Sequence, residues 1–216
     1  MAWLCSANSN LQLLKNLKEA NILTHSRILD AMAKVDRKYY ASDPFRDSPQ
    51  TIGYGATISA PHMHAYALEY LNVQENEDVL DVGCGSGYLT SVFSYLTKGK
   101  VTGIDHIPEL VELSETNIKN GNPEVLNKVE LYCADGRHGF EKNAPYDVIH
   151  VGAAATNVLP ELIEQLKDGG RLFIPVGKQF DTQDLMLVTK SDLGIHKEKL
   201  MNVMYVPLTD KENQVE

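Results

Sequence analysis

The sequence predicts an α/β protein whose core is a mostly parallel, doubly wound sheet, with helices at its N-terminus. Three observations carry this. From residue 78 onward, short runs rich in Val and Ile alternate with segments of helical period, the pattern that produces parallel strands joined by crossover helices. The first such run, Val79-Leu80-Asp81-Val82, enters three glycines at alternate positions, Gly83, Gly85 and Gly87, ahead of a helical pattern. The second run, Val101-Thr102-Gly103-Ile104-Asp105, ends in a carboxylate. In an open α/β sheet this pair holds an adenosine-containing cofactor: glycines let the backbone approach the ligand, and the acid accepts from ribose hydroxyls.

The elements follow in order. Leu11, Leu13, Leu14, Leu17 and Ile22 predict an amphipathic helix over 8–21. Ile28, Leu29, Met32 and Val35 predict a second, with Thr24 or Ser26 as its cap. Residues 36–60 lack periodicity and contain Pro44, Pro49, Gly53 and Gly55. A loop of that length inside a domain is read as functional, because it delivers Thr57-Ile58-Ser59 to a helix that starts at Pro61 and runs through Ala65, Leu68 and Leu71. Strands are expected at 78–83, 100–105, 129–133, 146–151 and 170–176, and helices at 87–97, 108–120 and 157–167. Pro108 and Pro160 fall in first turns; Gly121 and Gly169 are expected as left-handed caps. Two further strands are expected at 185–190 and 199–206, then a polar, mobile tail over 210–216. The 216 residues fit one domain: N-terminal helices and loop (1–60), cofactor-binding core (61–177), C-terminal strands and tail (178–216).

Composition narrows the function. Hydrophobic residues make up 43% and charged residues 23%, as in a soluble globular protein. The net charge of −9, without a basic run interleaved with aromatics, excludes nucleic acid as the main ligand. Cys5, Cys84 and Cys133 form no C-x-x-C and read as reduced thiols of a cytosolic protein. Cys84 is expected to fill a tight turn, not to act as a nucleophile. His62 and His64 lack a third ligand at recognisable spacing, so no metal is expected. The start, Met1-Ala2-Trp3-Leu4-Cys5-Ser6, shows neither a basic region nor an apolar stretch of signal length, and no run approaches the roughly 18 apolar residues of a membrane span. The expectation is an acidic cytosolic monomer.

The glycine spacing selects among cofactors. Tyr88 stands where a dinucleotide site needs a third small residue, and no Gly-Lys-Ser/Thr follows to cradle phosphate. The D-x-G-x-G-x-G form resembles the first motif of S-adenosylmethionine (SAM)-dependent methyltransferases, and so implies a Rossmann-like class I fold. Ligands in such sheets bind beyond the carboxyl ends of the strands. Asp105 is therefore expected on the ribose hydroxyls, with His106 beside it, and Asp135 on the adenine amino group, with the Gly136 amide. Asp81 is expected to orient the glycine loop rather than to bind directly.

Several segments resemble one methyltransferase family. Thr57-Ile58-Ser59-Ala60-Pro61-His62-Met63-His64-Ala65 is similar to the segment preceding the first motif in protein-L-isoaspartate O-methyltransferases. Gly103-Ile104-Asp105-His106-Ile107, residues 144–155 and Gly169-Gly170-Arg171-Leu172-Phe173-Ile174-Pro175-Val176-Gly177 resemble it in turn, and residues 205–212 look like the animal members. The resemblance implies methyl transfer from SAM, leaving S-adenosyl-L-homocysteine, to the free carboxylate of L-isoaspartyl, and also D-aspartyl, residues in damaged proteins and peptides. The ester then closes to a succinimide, whose hydrolysis returns some normal aspartyl bond. By resemblance Ser59 is catalytic, Ala56, Thr57, Ile58, Ser59 and His64 line the cleft, and Thr209 closes over it. Ile58, Ser59, Ala60, His64, Val206, Pro207 and Leu208 would touch the substrate. Ser59 also fits a helix N-cap. Two departures stand out: Cys84 in the glycine loop, and a 178–183 segment without a glycine-rich run. The alternatives are a carboxyl methyltransferase for a small molecule, since fold does not fix substrate, and a non-enzymatic binder of isoaspartyl ends.

Overall fold

The computed structural model describes residues 5–179 and 181–214. Its N-terminal layer is α1 (Asn10–Glu19) and α2 (Ser26–Lys34). Ser9 caps α1, its hydroxyl accepting the Gln12 N–H. Leu13, Leu14 and Leu17 of α1 and Ile28 and Met32 of α2 are buried in one apolar cluster, the face that their spacing predicted. The α2 cap differs from expectation: His25 holds the position without a side-chain bond, and Thr24 donates its hydroxyl at 2.5 Å to Glu69, on the helix packed beside it.

The expected long loop carries structure of its own. A 3-10 turn forms at Arg37–Tyr39, and β1 (Gln50–Gly53) and β2 (Ala56–Ile58) make an antiparallel hairpin. Gly53, Tyr54 and Gly55 turn it with positive φ values of 93°, 52° and 65°, which explains two glycines around one aromatic. The helix α3 (Pro61–Leu71) follows directly, with Pro61 in its first turn.

The main sheet has seven strands: β3 (Val79–Val82), β4 (Val101–Asp105), β5 (Val129–Cys133), β6 (Tyr146–Val151), β7 (Leu166–Val176), β8 (Gln183–Ser191) and β9 (Gly194–Val203). Their spatial order is β5-β4-β3-β6-β7-β8-β9. The first five are parallel; β8 and β9 run antiparallel. Every residue of β3 and β4 is buried, as in parallel strands covered on both faces. The crossovers are α4 (Tyr88–Leu96), α5 (Pro108–Gly121) and α6 (Pro160–Glu164), and α7 (Lys211–Gln214) closes the described chain. The strand order reverses beside β3, between β4 and β6, which puts the ligand crevice at the β3 carboxyl end.

Four further expectations are corrected. The helix expected over 157–167 is only α6, because the chain is already strand at Leu166, where it pairs with Tyr146. Gly169 (φ 84°) therefore lies inside β7, in the stretch where its pairing with β6 shifts register, and caps no helix. Gly121 is the last residue of α5; a side chain there would meet the Tyr39 ring at 2.9 Å, so close packing is its role. The last strand begins at Gly194 and ends at Val203, before the expected limit of 206.

Candidate active site

The site is built on the turn after β3. Gly83, Gly85 and Gly87 all have positive φ, between 53° and 79°, a conformation that glycine adopts without strain. The turn is tied to the next strand: the Gly83 and Cys84 amides donate to the Ile104 carbonyl at 2.8 and 3.0 Å, and the Gly85 amide donates to Asp105 at 3.1 Å. The other Asp105 oxygen accepts the Ile107 amide at 3.1 Å. Burial lifts this carboxyl above the usual carboxylate range even against those bonds. Both of its oxygens thus accept backbone amides only, and the residue lines the groove at the β4 carboxyl end.

Asp81 has a different task. One oxygen takes the Thr90 hydroxyl at 2.5 Å and the other the His150 ring at 2.8 Å, with 1% of the residue exposed. It locks α4 and β6 around the glycine turn, as an orienter does. Burial pushes the Cys84 thiol well up, which disfavours its thiolate, and its Sγ packs 3.7 Å from the Ser114 hydroxyl.

Three hollows meet here. The first, over Asp105 and His106, has Gly136 and Ala153 in its walls and Pro207, Leu208 and Gln214 as its roof. The second holds Ile58, Ser59, His64, Asp81 and His150 around the glycine turn. The third is an apolar cavity of about 410 Å³ between Ile22, Met63 and Tyr66 on one side and Met201, Met204 and Tyr205 on the other. Thr57 lines all three, and Ser59 lines the second and third. The β1–β2 hairpin thus delivers Thr57-Ile58-Ser59 to the junction. The residue in cap position on α3 is Ala60, and no side chain caps that helix; Ser59 is left free of the capping task. Its hydroxyl lies instead against Tyr205, whose phenol burial lifts to about 12.

Most residues expected at the site converge, with six placed otherwise. Ala56, Gly83, Gly85, Asp105, His106 and Gly136 line the first hollow, and Ala60 the apolar cavity. Gly87 lies one step behind, backing onto Ser114 of α5. Asp135 is not among the lining residues: its carboxylate accepts from Arg137 Nε at 3.0 Å and Nη2 at 2.6 Å, and Arg137 reaches on to Asp210. Thr209 lines none of the three hollows; Leu208 and Gln214 do the closing. Val206, Pro207 and Leu208, expected on substrate, sit over the cofactor groove, because Ala154 pairs with this segment through two 2.8 Å backbone bonds. The cavity wall is the preceding stretch, 201–205.

Sequence reasoning missed Arg37, His62, Tyr205 and Gln214. Arg37 is fully buried; its Nη1 donates to His64 Nδ1 at 3.0 Å and its Nη2 to the Ser59 carbonyl at 2.6 Å. The Asp36-Arg37-Lys38 run reads as solvated charge, and nothing in its spacing distinguishes the central residue. Gln214 roofs the groove by accepting from His106 Nε2 at 2.6 Å and donating to the Tyr54 carbonyl. Among the described residues no cluster of three His, Cys, Asp or Glu could hold a metal, and no helix is long and apolar enough to cross a membrane.

The sheet order, the glycine turn at the switch point and the buried acid after the next strand define a Rossmann-like enzyme of the class I methyltransferase type. A family model described as protein-L-isoaspartate(D-aspartate) O-methyltransferase (PCMT) matches residues 8–213, and the chain belongs to that family. It is 45% identical to the protein-L-isoaspartate O-methyltransferase of Caenorhabditis elegans, over 99% of this chain and 98% of that one. It is 44% identical to protein-L-isoaspartate O-methyltransferase 1 of Arabidopsis thaliana, over 97% and 95%. A Plasmodium falciparum relative, solved in complex with S-adenosyl-L-homocysteine, superposes with a TM-score of 0.86 at 34% identity, covering 94% of this chain and 99% of that one.

Proposed function

We propose that this protein transfers a methyl group from SAM to the free carboxylate of L-isoaspartyl, and also D-aspartyl, residues in damaged proteins and peptides, and so starts their repair through a succinimide. The observation that carries the reading is the junction at Thr57 and Ser59, where a groove shaped for an adenosine cofactor opens into an apolar cavity large enough for a peptide side chain. Family membership and the S-adenosyl-L-homocysteine complex of the Plasmodium relative support the cofactor.

The residues present fit that cofactor. Asp105 is a buried carboxylate held above its ordinary range by that burial, and Gly83 and Gly85 of the turn line the same groove. Asp105 would hold the ribose, Ala56, Gly83 and Gly85 the adjoining backbone surface, His106 and Gly136 the base end, and His64 the amino-acid end, under the roof of Leu208 and Gln214. Gly87 would keep the turn tight against α5. Asp135 would serve through Arg137, by tying the 208–210 segment down, and Thr209 would follow that segment as it closes. When bound, the cofactor supplies an electrophilic methyl group.

The protein's own task is then positioning. A carboxylate with a pKa of about 4 is ionised at pH 7 and needs no general base. Ser59 holds the substrate carboxylate with its hydroxyl, itself oriented by Tyr205. Ile58 and Ala60 fix the strand that carries it, and the apolar walls exclude water. In this reading 1–216 is a single domain acting as a cytosolic monomer, with damaged polypeptides and not nucleic acid or membrane as partners.

The test sets an isoaspartyl peptide against small free carboxylic acids as methyl acceptors. Efficient esterification of the peptide alone supports the proposal; efficient esterification of the small acids alone replaces it with a small-molecule carboxyl methyltransferase.

A further inference from the structure

Two histidines lie two residues apart in the first turn of α3, and each is clipped by a fully buried charge of opposite sign. His64 Nδ1 receives a hydrogen bond from Arg37 Nη1 at 3.0 Å. Arginine only donates, so Nδ1 carries a lone pair and the ring proton sits on Nε2. His62 Nδ1 is 2.7 Å from Asp47 Oδ1, which also accepts the His62 amide at 3.0 Å. A carboxylate only accepts, so this Nδ1 carries the proton, and in the neutral ring Nε2 is the lone pair. Arg37 and Asp47 are both 0% exposed.

The two rings face different hollows. His64 lines the groove at the glycine turn, and His62 lines the apolar cavity. We propose that Arg37 and Asp47 are positioning residues that hold these histidines in opposite tautomers, His64 as a fixed Nε2–H donor toward the cofactor side and His62 as a fixed Nε2 acceptor toward the substrate side. The proposal rests on the methyltransferase reading above and deepens it. A fixed donor recognises a carboxylate, whether that of the cofactor's amino-acid end or that of the substrate. A fixed acceptor recognises an N–H, which a polypeptide substrate presents and a small free acid does not.

The two buried charges attract each other as well as the rings they hold. Burying a guanidinium is costly, and burial lowers that of Arg37 to about 10, which leaves it charged at neutral pH. Its Nε has no hydrogen-bond partner among the described residues. It stacks 5.0 Å over the Tyr88 ring and spends its other two nitrogens on Ser59 and His64. The groups that face His64 are Arg37 from the 3-10 turn, Tyr88 from α4, His150 from β6 and His62 from its own helix. Burial and the Arg37 cation keep the His64 ring from taking up a proton, so its donor persists across physiological pH.

The experiment is nitrogen-detected NMR of the histidine rings in the full chain from pH 5.5 to 8.5, assigned with His62→Gln and His64→Gln. The expected spectrum shows a His64 ring that does not titrate, with its proton on Nε2, and a His62 ring that keeps a proton on Nδ1, the nitrogen that neutral free histidine leaves bare. In Arg37→Met, His64 should titrate within the range, while Arg37→Lys should restore the silence. In Asp47→Asn, the His62 proton should leave Nδ1. A His64 that titrates normally in the wild type, or one tautomer shared by both rings, overturns the proposal; neither readout depends on methyl transfer.

A second arm locates the carboxylate with His64→Gln. A loss of about 10- to 100-fold in SAM affinity, the size of one hydrogen bond to a charged group, places it on the cofactor. The same loss in peptide KM places it on the substrate. A variant unchanged in both would remove His64 as a donor.

Discussion

The cofactor groove and the apolar cavity share Thr57, yet they are made by different means. The floor of the groove is the glycine turn and one buried acid, at the ends of two neighbouring strands of the parallel core. The cavity is made of side chains from three distant segments: Ile22 after α1, residues 49–66, and residues 201–205 at the end of β9 and just past it. The first is a device of the fold, reusable wherever an adenosine cofactor binds. The second is built by this chain's own peripheral segments. The two sets of residues should therefore fail in different ways, one through cofactor affinity and the other through the peptide.

The largest break is expected at the junction. Ser59→Ala should lower kcat/KM for an isoaspartyl peptide by about 10²-fold, the scale of losing one donor aimed at reacting oxygens, while SAM affinity by calorimetry stays the same. An equal loss in both would erase the division between groove and cavity. Because Ser59 does not cap α3, the melting temperature should hold.

Next in size is Asp105→Asn. It should weaken SAM by about 1–3 kcal/mol, the cost of leaving ribose donors and the loop amides poorly matched, with peptide KM little changed. A pH dependence accompanies it. The folded carboxyl lies above its unfolded value because it is buried. Its contribution to stability is thus fully present below the ordinary carboxylate pKa, about 4, and is lost as pH rises through the folded value. Without cofactor, the stability of the wild type relative to Asp105→Asn should fall as pH rises from about 4 toward neutrality. Thermal melts across that range would show it, and a flat difference would contradict the assigned burial.

On the cavity side, Met63→Trp fills part of the 410 Å³ space. It should raise peptide KM roughly tenfold, the scale on which an apolar pocket discriminates, and leave SAM binding alone. The smallest effect is expected at the roof. Gln214→Ala removes the bond to His106 and should speed SAM release about threefold in stopped flow, as befits one partly exposed hydrogen bond. Slower release would mean that the roof does not gate the groove.

The same division explains what the sequence disclosed. Val79–Val82, the three glycines and Asp105 are contiguous, and their chemistry follows from local rules; the fold and the groove could be read from them directly. The hairpin at 50–58 escaped because its strands are three and four residues long and lie within a loop-like composition. The long β7 was cut short, because Lys167-Asp168-Gly169-Gly170 carries no strand periodicity and is strand only through its neighbour β6. The pairing of Asp135 with Arg137, and of Arg137 with Asp210, escaped because Asp210 is far away in the chain and meets Arg137 only in the fold. Arg37 escaped because burial of a charge depends on tertiary packing, here against Tyr88 and His64. What remained illegible was contributed by side chains that meet only after the fold has formed.

The most direct test of the central claim is methyl transfer from radiolabelled SAM to two short peptides that are identical except for Asp or isoAsp at one position. Label entering the isoAsp peptide alone, as a base-labile ester, is the predicted result. Equal labelling of both peptides, or of neither while SAM remains bound, would contradict the assignment of the cavity to damaged polypeptide.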